Sequence, residues 1–204
     1  KVFWHTDINQ VIQKLNLIPD VAFNQAGQNI EWLHRQTQDA DLYFLSLFKA
    51  QAKGVEATFR ISGRQPEFWD AYTGDIVKPA KWRANDNGTT TVFFDLEPSG
   101  SMFVVFPKNN HSIANAQGSP KPPVVSVQPQ TGIKTIIKGT GDNTAVTAQV
   151  FESGSYQIEL ANGQQQTPLR TTISAEVPAS ININTPWQLS FPKQFAYKDQ
   201  LPQT

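Results

Sequence analysis

Val55-Glu56-Ala57-Thr58-Phe59-Arg60-Ile61 alternates apolar and polar residues without a break, the period-two signature of a strand with one face in a core and the other in water. Val55, Ala57, Phe59 and Ile61 share the inner face, Glu56, Thr58 and Arg60 the outer, and Gly63 closes the run. Upstream, Leu42-Tyr43-Phe44-Leu45-Ser46-Leu47-Phe48 is almost continuously apolar, as expected of a strand buried on both faces. Ile30-Glu31-Trp32-Leu33-His34-Arg35 alternates less cleanly before it. Downstream, Pro66-Glu67-Phe68-Trp69-Asp70 leads through the turn Tyr72-Thr73-Gly74-Asp75 to Ile76 and Val77. Lys81-Trp82-Arg83 then runs into Asn87-Gly88, which predicts a type I′ hairpin returning through Thr89 to Leu96. Met102-Phe103-Val104-Val105-Phe106 is a further buried strand. Many short strands punctuated by turn residues predict a mainly β chain built on an antiparallel β-sandwich, immunoglobulin-like or jelly-roll in type.

One short helix precedes this block. Ile8, Val11, Ile12 and Leu15 have helical spacing, Thr6 or Asp7 is placed to cap it, and Pro19 ends it. After the sandwich, residues 109–123 turn to Asn, Ser, Gln, Gly and Pro and read as a linker. Weaker strand candidates follow at 124–127, 133–137, 145–151, 156–160 and 169–173, with Asn162-Gly163 as a hairpin signal between the last two. Four of the five tryptophans and ten of the thirteen phenylalanines precede Lys108, so the later β unit, about 60 residues long, has a thin interior and is expected to lean on a neighbour. The predicted organisation is a strand-and-helix remnant of a preceding α/β unit at 1–22 and a sandwich at 23–108. The linker follows, then a smaller β domain at 124–182 and the start of a further domain at 183–204, where Ile183 to Phe191 reads as a strand. With no methionine at the start, the 204 residues are expected to be a piece of a longer polypeptide.

Composition narrows the function. Seventeen basic residues balance seventeen acidic ones and none cluster, so the affinity for nucleic acid or anionic membrane that clustered Lys and Arg supply is not expected. No apolar run approaches the roughly 18 residues needed to span a bilayer. With no cysteine, disulfides, thiolate metal sites and thiol nucleophiles are excluded.

Glu31, Glu56, Glu67, Asp70, Asp95 and Glu97 could supply the carboxylate pair of a glycosidase, but nothing in their spacing pairs any two, and strand-face or turn positions account for them. His5, His34 and His111 form no His-x-x-x-His pair and accompany no Gly-x-Ser-x-Gly elbow. His34 and Arg35, beside Asp39 and Asp41, are the one concentrated polar cluster in an apolar stretch. Either they hold a ligand or an adjoining domain, or Arg35 pairs with Asp39 or Asp41 across the hairpin. Asp39-Ala40-Asp41 and Asn85-Asp86-Asn87-Gly88 offer oxygen ligands of the kind calcium takes, without the spacing of an EF-hand loop, so no metal or other cofactor is expected. Trp32 and Trp69 sit among apolar neighbours and read as core. Tyr72 and Trp82, near turns, are the better surface platforms for a sugar ring.

Several blocks together resemble a known family: Leu15-Asn16-Leu17-Ile18-Pro19-Asp20-Val21, Ile30 to Arg35, Asp39 to Ser46, Ala57-Thr58-Phe59-Arg60, Pro66 to Asp70 with Thr73-Gly74, and Leu96-Glu97-Pro98-Ser99-Gly100-Ser101 before Phe103-Val104-Val105-Phe106. Over about residues 1 to 107 their order is similar to the region following the catalytic barrel in glycoside hydrolase family 106, the α-L-rhamnosidases and their relatives. Gly154 to Leu160 and Thr185 to Phe191 resemble that family's continuation more loosely. The resemblance implies a bacterial, secreted or periplasmic parent in which the catalytic carboxylates and any calcium belong to the barrel, so no catalytic residue carries over. One departure stands out: Leu47 and Phe48 follow Ser46 where the family usually has an Asn, which would alter any contact that Asn makes with the barrel.

The expected function is therefore a non-catalytic β-sandwich portion of such a hydrolase, partnered by other domains of its own polypeptide, with the alternatives of a carbohydrate-binding module or a structural spacer. His34, Arg35, Tyr72 and Trp82 are the candidate contacts to carbohydrate or a neighbouring domain.

Overall fold

The computed structural model describes residues 2–108, 122–138, 145–161, 167–186 and 188. The predicted linker, His111 and the Asn162-Gly163 turn lie mostly or wholly outside these residues. Helix α1 (Ile8–Lys14) starts at Asp7, whose carbonyl accepts from the Val11 N–H at 3.1 Å. It ends before Pro19 is reached. Asn16 adopts φ 53°, the Asn16 N–H donates to the Gln13 carbonyl and the Leu17 N–H to that of Ile12, which is a Schellman termination with Asn in the left-handed position.

Fourteen strands follow among the described residues, all antiparallel within their sheets. The first is β1 (Val21–Phe23), and β2 (Ile30–Gln36), β3 (Ala40–Leu47), β4 (Ala52–Phe59) and β5 (Glu67–Trp69) come next. Then come β6 (Ile76–Pro79), β7 (Trp82–Ala84), β8 (Thr90–Leu96) and β9 (Ser101–Pro107). The later group is β10 (Val124–Gln128), β11 (Ile133–Lys138), β12 (Ala145–Val150), β13 (Gly154–Leu160) and β14 (Leu169–Ala175). They form a four-stranded sheet ordered β1-β4-β8-β7, a seven-stranded sheet ordered β12-β11-β6-β5-β9-β3-β2, and a three-stranded sheet ordered β10-β13-β14.

The main core lies between the four-stranded and seven-stranded sheets and makes this an antiparallel β-sandwich. From one side come Val55, Ala57 and Phe59 of β4 with Val92 and Leu96 of β8; from the other come Tyr43, Leu45 and Leu47 of β3, Phe68 of β5, and Val104 and Phe106 of β9. The alternation of β4 is thus realised as read, and Ile61 beyond the strand joins the core. Strand β3 differs from its reading: Tyr43, Leu45 and Leu47 are buried, while Leu42, Phe44 and Ser46 on the opposite face are only half-buried. On that outer face the Phe44 and Phe103 rings meet at 5.0 Å. An apolar run therefore does not require two covered faces; an aromatic pair shields one of them.

The β7–β8 connection is a hairpin, but not of type I′. That turn needs positive φ at both central residues, and of Asn87 and Gly88 only Gly88 has it, at 78°. Instead the Gly88 N–H donates to the Asn85 carbonyl at 3.2 Å and the Asn85 N–H to that of Thr89 at 2.9 Å. The Asn85 amide also bonds the Thr89 and Thr91 hydroxyls, so the Asn-rich loop is held by its own side chains.

The later strands attach to the first sandwich through backbone. Ile136 and Ile137 of β11 pair with Pro79 and Lys78 of β6, the Ala80 N–H donates to the Thr135 carbonyl, and the Val124 N–H to that of Ala80. A second, smaller core of Ala80, Val124, Val127 and Ile158 gathers Ile133, Ile137, Val146 and Ile173 around it. Residues 183–186 are exposed and outside any strand; most of the segment beyond them is not among the described residues.

Candidate functional site

The densest polar cluster joins the two sheets at one end of the sandwich. Asp20 enters β1 at the edge of the four-stranded sheet, and Arg60 leaves β4 beside it, with the Arg60 N–H bonded to the Asp20 carbonyl at 2.9 Å. His34 lies on β2, the opposite sheet's edge strand, and Asp41 on the adjoining β3. The imidazole sits between two carboxylates: Nδ1 is 2.7 Å from Asp20 Oδ2 and Nε2 is 3.1 Å from Asp41 Oδ1. Its ring stacks on Tyr43 at 4.1 Å and 10°, and the Tyr43 hydroxyl reaches Asp20 Oδ1 at 3.5 Å. Two guanidiniums close the cluster. Arg60 donates to Asp20 Oδ1 at 3.1 Å; Arg64 donates to Asp41 Oδ2 at 2.7 Å and to the Phe106 carbonyl at 3.0 Å. Gln36 adds a donor to Asp41 at 3.0 Å.

Burial pushes the Asp41 carboxyl up, but hydrogen bonds from Arg64, His34 and Gln36 outweigh it and hold it below the ordinary aspartate value. Burial, and then the nearby Asp20 and Asp41 charges, push the Tyr43 hydroxyl well above its usual range. Chemically the arrangement is a clamp. Carboxylates engage both imidazole nitrogens, leaving neither facing outward as a general base. The imidazole also occupies the space between Asp20 and Asp41 that a scissile glycosidic bond would need.

The sequence-derived candidates are distributed differently from expectation. His34 is at the centre of the cluster. Arg35 is not: alternation along β2 turns it to the other face, where it is exposed and has no ion pair among the described residues. The charge partner of Asp41 is Arg64, from the loop after β4, rather than Arg35 across the hairpin. Tyr72 stands on the surface, 97% exposed. Trp82, read as a surface platform, is 3% exposed, and its indole N–H is buried without a partner. Conversely Trp32 is exposed on the edge strand, and Trp69 is half-buried with its Nε1 donating to Glu67 at 3.0 Å. Proximity to a turn was a poor guide, because what buries a tryptophan is the sheet face its Cβ occupies.

Asp20, Tyr43, Arg60 and Arg64 were not singled out as site residues, although Pro19-Asp20-Val21 and Phe59-Arg60 stand inside the family-like blocks. The carboxylates weighed for catalysis are mostly dispersed and tied locally. Glu56 faces Arg83 at 3.8 Å, Glu67 faces Lys78 at 3.9 Å, and Asp70 accepts from the Tyr72 and Thr73 N–H groups. Among the described residues no three His, Asp or Glu side chains converge as a metal site.

Residues 1–83 match the sequence profile of glycoside hydrolase family 106, described as alpha-L-rhamnosidase. The first 83 residues are a family 106-like region. Every member of the clamp lies within this family 106-like region. A protein of Formosa agariphila provisionally named a beta-glucuronidase is 38% identical over 92 residues, 45% of this chain and 8% of its own length. A rhamnosidase structure from Novosphingobium sp. PP1Y shares 25% identity over 75% of this chain and 16% of its own, with a TM-score of 0.47. The chain thus spans well under a fifth of the relatives it matches.

Proposed function

We propose that this chain is a non-catalytic β-sandwich portion of a glycoside hydrolase. It supports a catalytic barrel, formed by other residues of the same polypeptide, that acts on rhamnose-containing glycans. The observation that carries the reading is the combination of the family 106 match over residues 1–83 with a polar cluster whose imidazole is saturated by carboxylates. The match supplies the family context, and the saturated cluster supplies structure rather than chemistry. A docking surface for the barrel is available beside it. Val2, Trp4, Ile8, Leu15, Leu17 and Ile18, running through α1 and its flanks, are exposed apolar side chains that a neighbouring domain would cover. The parent would act in the periplasm or outside the cell, with no cofactor in this portion.

The test is hydrolysis of 4-nitrophenyl α-L-rhamnoside by the 204-residue chain and by the longer polypeptide carrying the barrel. Turnover is expected only from the latter. Turnover by the 204-residue chain that disappears on Asp20→Asn or Asp41→Asn would overturn the reading. A sugar site built on Tyr72 and Trp82 together has lost its second platform, because the Trp82 ring is inside the protein.

A further inference from the structure

Strand β2 ends the seven-stranded sheet, with β3 on one side and no strand beyond it among the described residues. Its main-chain groups alternate in direction. The Thr37 N–H donates to the Ala40 carbonyl at 2.8 Å and extends the β2–β3 ladder, so Glu31, Leu33 and Arg35 bond across to β3. On β3 the intervening residues face β9 instead, as in the bond from the Leu47 N–H to the Gly100 carbonyl at 3.0 Å. The N–H and carbonyl groups of Trp32 and His34 therefore point out of the sheet edge, where no described residue bonds them. The edge is also uncovered: Trp32 is 41% and Leu33 65% exposed, and Glu31, Arg35 and Gln36 are exposed beside them.

Proline, lysine and a bulge, which guard many sheet edges, are all missing from β2. Its register against β3 runs unbroken from Ile30 to Gln36. Its charges are placed symmetrically about Leu33, with Glu31 before it and Arg35 after it at equal distance, and all three side chains share the outer face of the sheet. The side chains of Glu31 and Arg35 have no ion pair or hydrogen bond among the described residues. No other edge strand has such a pattern: β7 and β14 carry an arginine without an acidic residue, and β1, β10 and β12 carry no charge.

We propose that the β2 edge binds a second copy of this chain, the two β2 strands pairing antiparallel about a two-fold axis at Leu33 and joining the two seven-stranded sheets into one. In that register Trp32 exchanges main-chain bonds with His34 of the copy, so the groups that point outward are the ones the pairing uses. Leu33 meets its counterpart on the axis. Glu31 faces Arg35 of the copy at both ends, the self-complementarity that a two-fold contact demands. Sliding the copy by two residues either way keeps main-chain bonding but sets Arg35 or Glu31 against Leu33, so the charges fix the register. The proposal stands apart from the hydrolase reading: it uses the edge of β2 rather than α1 and its flanks, and it is tested by association rather than turnover.

The experiment is sedimentation equilibrium of the 204-residue chain from about 10 μM to about 1 mM. A monomer–dimer equilibrium is expected, with the Trp32 and His34 amides protected from hydrogen exchange only where dimer forms. Leu33→Lys, which sets like charges on the axis, should raise the dissociation constant at least about tenfold. Glu31→Arg and Arg35→Glu should each weaken association similarly, since each sets like charges across the contact. An equimolar mixture of those two variants should dimerise again, and so should the double variant Glu31→Arg/Arg35→Glu, which restores each pair in reverse. That recovery also shows that the single variants are folded. A monomer throughout the range, leaving the edge to another segment of the parent polypeptide, would overturn the proposal. So would a dimer indifferent to Leu33→Lys and to both charge reversals, which would put the contact on another surface, or no recovery in either the mixture or the double variant.

Discussion

Replacing Arg64 with methionine tests whether the clamp holds the two sheets together. The guanidinium gives one bond to Asp41 Oδ2 at 2.7 Å and one to the Phe106 carbonyl at 3.0 Å. Asp41 is 1% exposed, and without Arg64 its Oδ2 has no remaining partner among the described residues, since His34 and Gln36 both address Oδ1. Stranding one member of a buried pair costs about 3–5 kcal/mol. Arg64 is 22% exposed and two donors stay on Asp41, which places the loss at the lower end, about 3 kcal/mol. With a urea m-value of about 3 kcal/mol/M, the midpoint should fall by about 1 M. Arg60→Gln is the control. Arg60 also pairs with a clamp carboxylate but is 57% exposed, so it should cost less than about 1 kcal/mol. The acid dependence gives a second readout. The Asp41 carboxyl is held below its unfolded value, so its contribution is complete above about pH 3.9 and is lost as pH falls through the lower folded value. The gap between wild type and Arg64→Met should therefore narrow in acid. Equal midpoint shifts for Arg64→Met and Arg60→Gln, or a gap that does not change with pH, would refute the reasoning.

Trp82→Phe should leave stability within about 1 kcal/mol of wild type in the same urea assay, because it removes an indole N–H buried without a partner. Trp82→Ala should lose about 3–5 kcal/mol by opening a cavity. Gly132→Ala should destabilise by more than about 1 kcal/mol by thermal unfolding: φ is +75°, and a Cβ would lie 2.8 Å from the Tyr156 hydroxyl oxygen. Tyr43 holds its proton in the folded state at pH values where the unfolded chain releases it. Stability should accordingly fall as pH rises beyond about 10, and Tyr43→Phe should lessen that fall in urea midpoints measured against pH.

How much of this could be read beforehand depended on sequence distance. Helix α1 was legible because its apolar spacing and its stop are contained in about a dozen residues, and β4 because alternation is a nearest-neighbour property. The β7–β8 hairpin was legible as a hairpin but not as a turn type, since Gly88 takes positive φ without Asn87 in a loop where Asn85, Asn87 and Thr89 bond one another through their side chains. In the candidate site, His34 could be marked as unusual among apolar neighbours. Its partners could not be named: Asp20 is fourteen residues away, and Arg64 is twenty-three from Asp41. Arg35 stays out of the cluster for a local reason: neighbouring residues on a strand face opposite ways, so His34 on the inner face leaves Arg35 on the outer one.

The sequence by itself determined the class of fold, the positions of most strands, the absence of thiol chemistry and the likeness of the first part of the chain to family 106. Each follows from composition, local periodicity or ordered blocks of residues. Only the packing of the sheets puts Trp82 in the core and Trp32 on the surface, continues the sheet from β6 to β11, and brings Asp20, His34, Asp41 and Arg64 together. These facts depend on which edges and faces meet when the sheets pack. That pairing is set by the burial of the whole chain, and no local pattern encodes it.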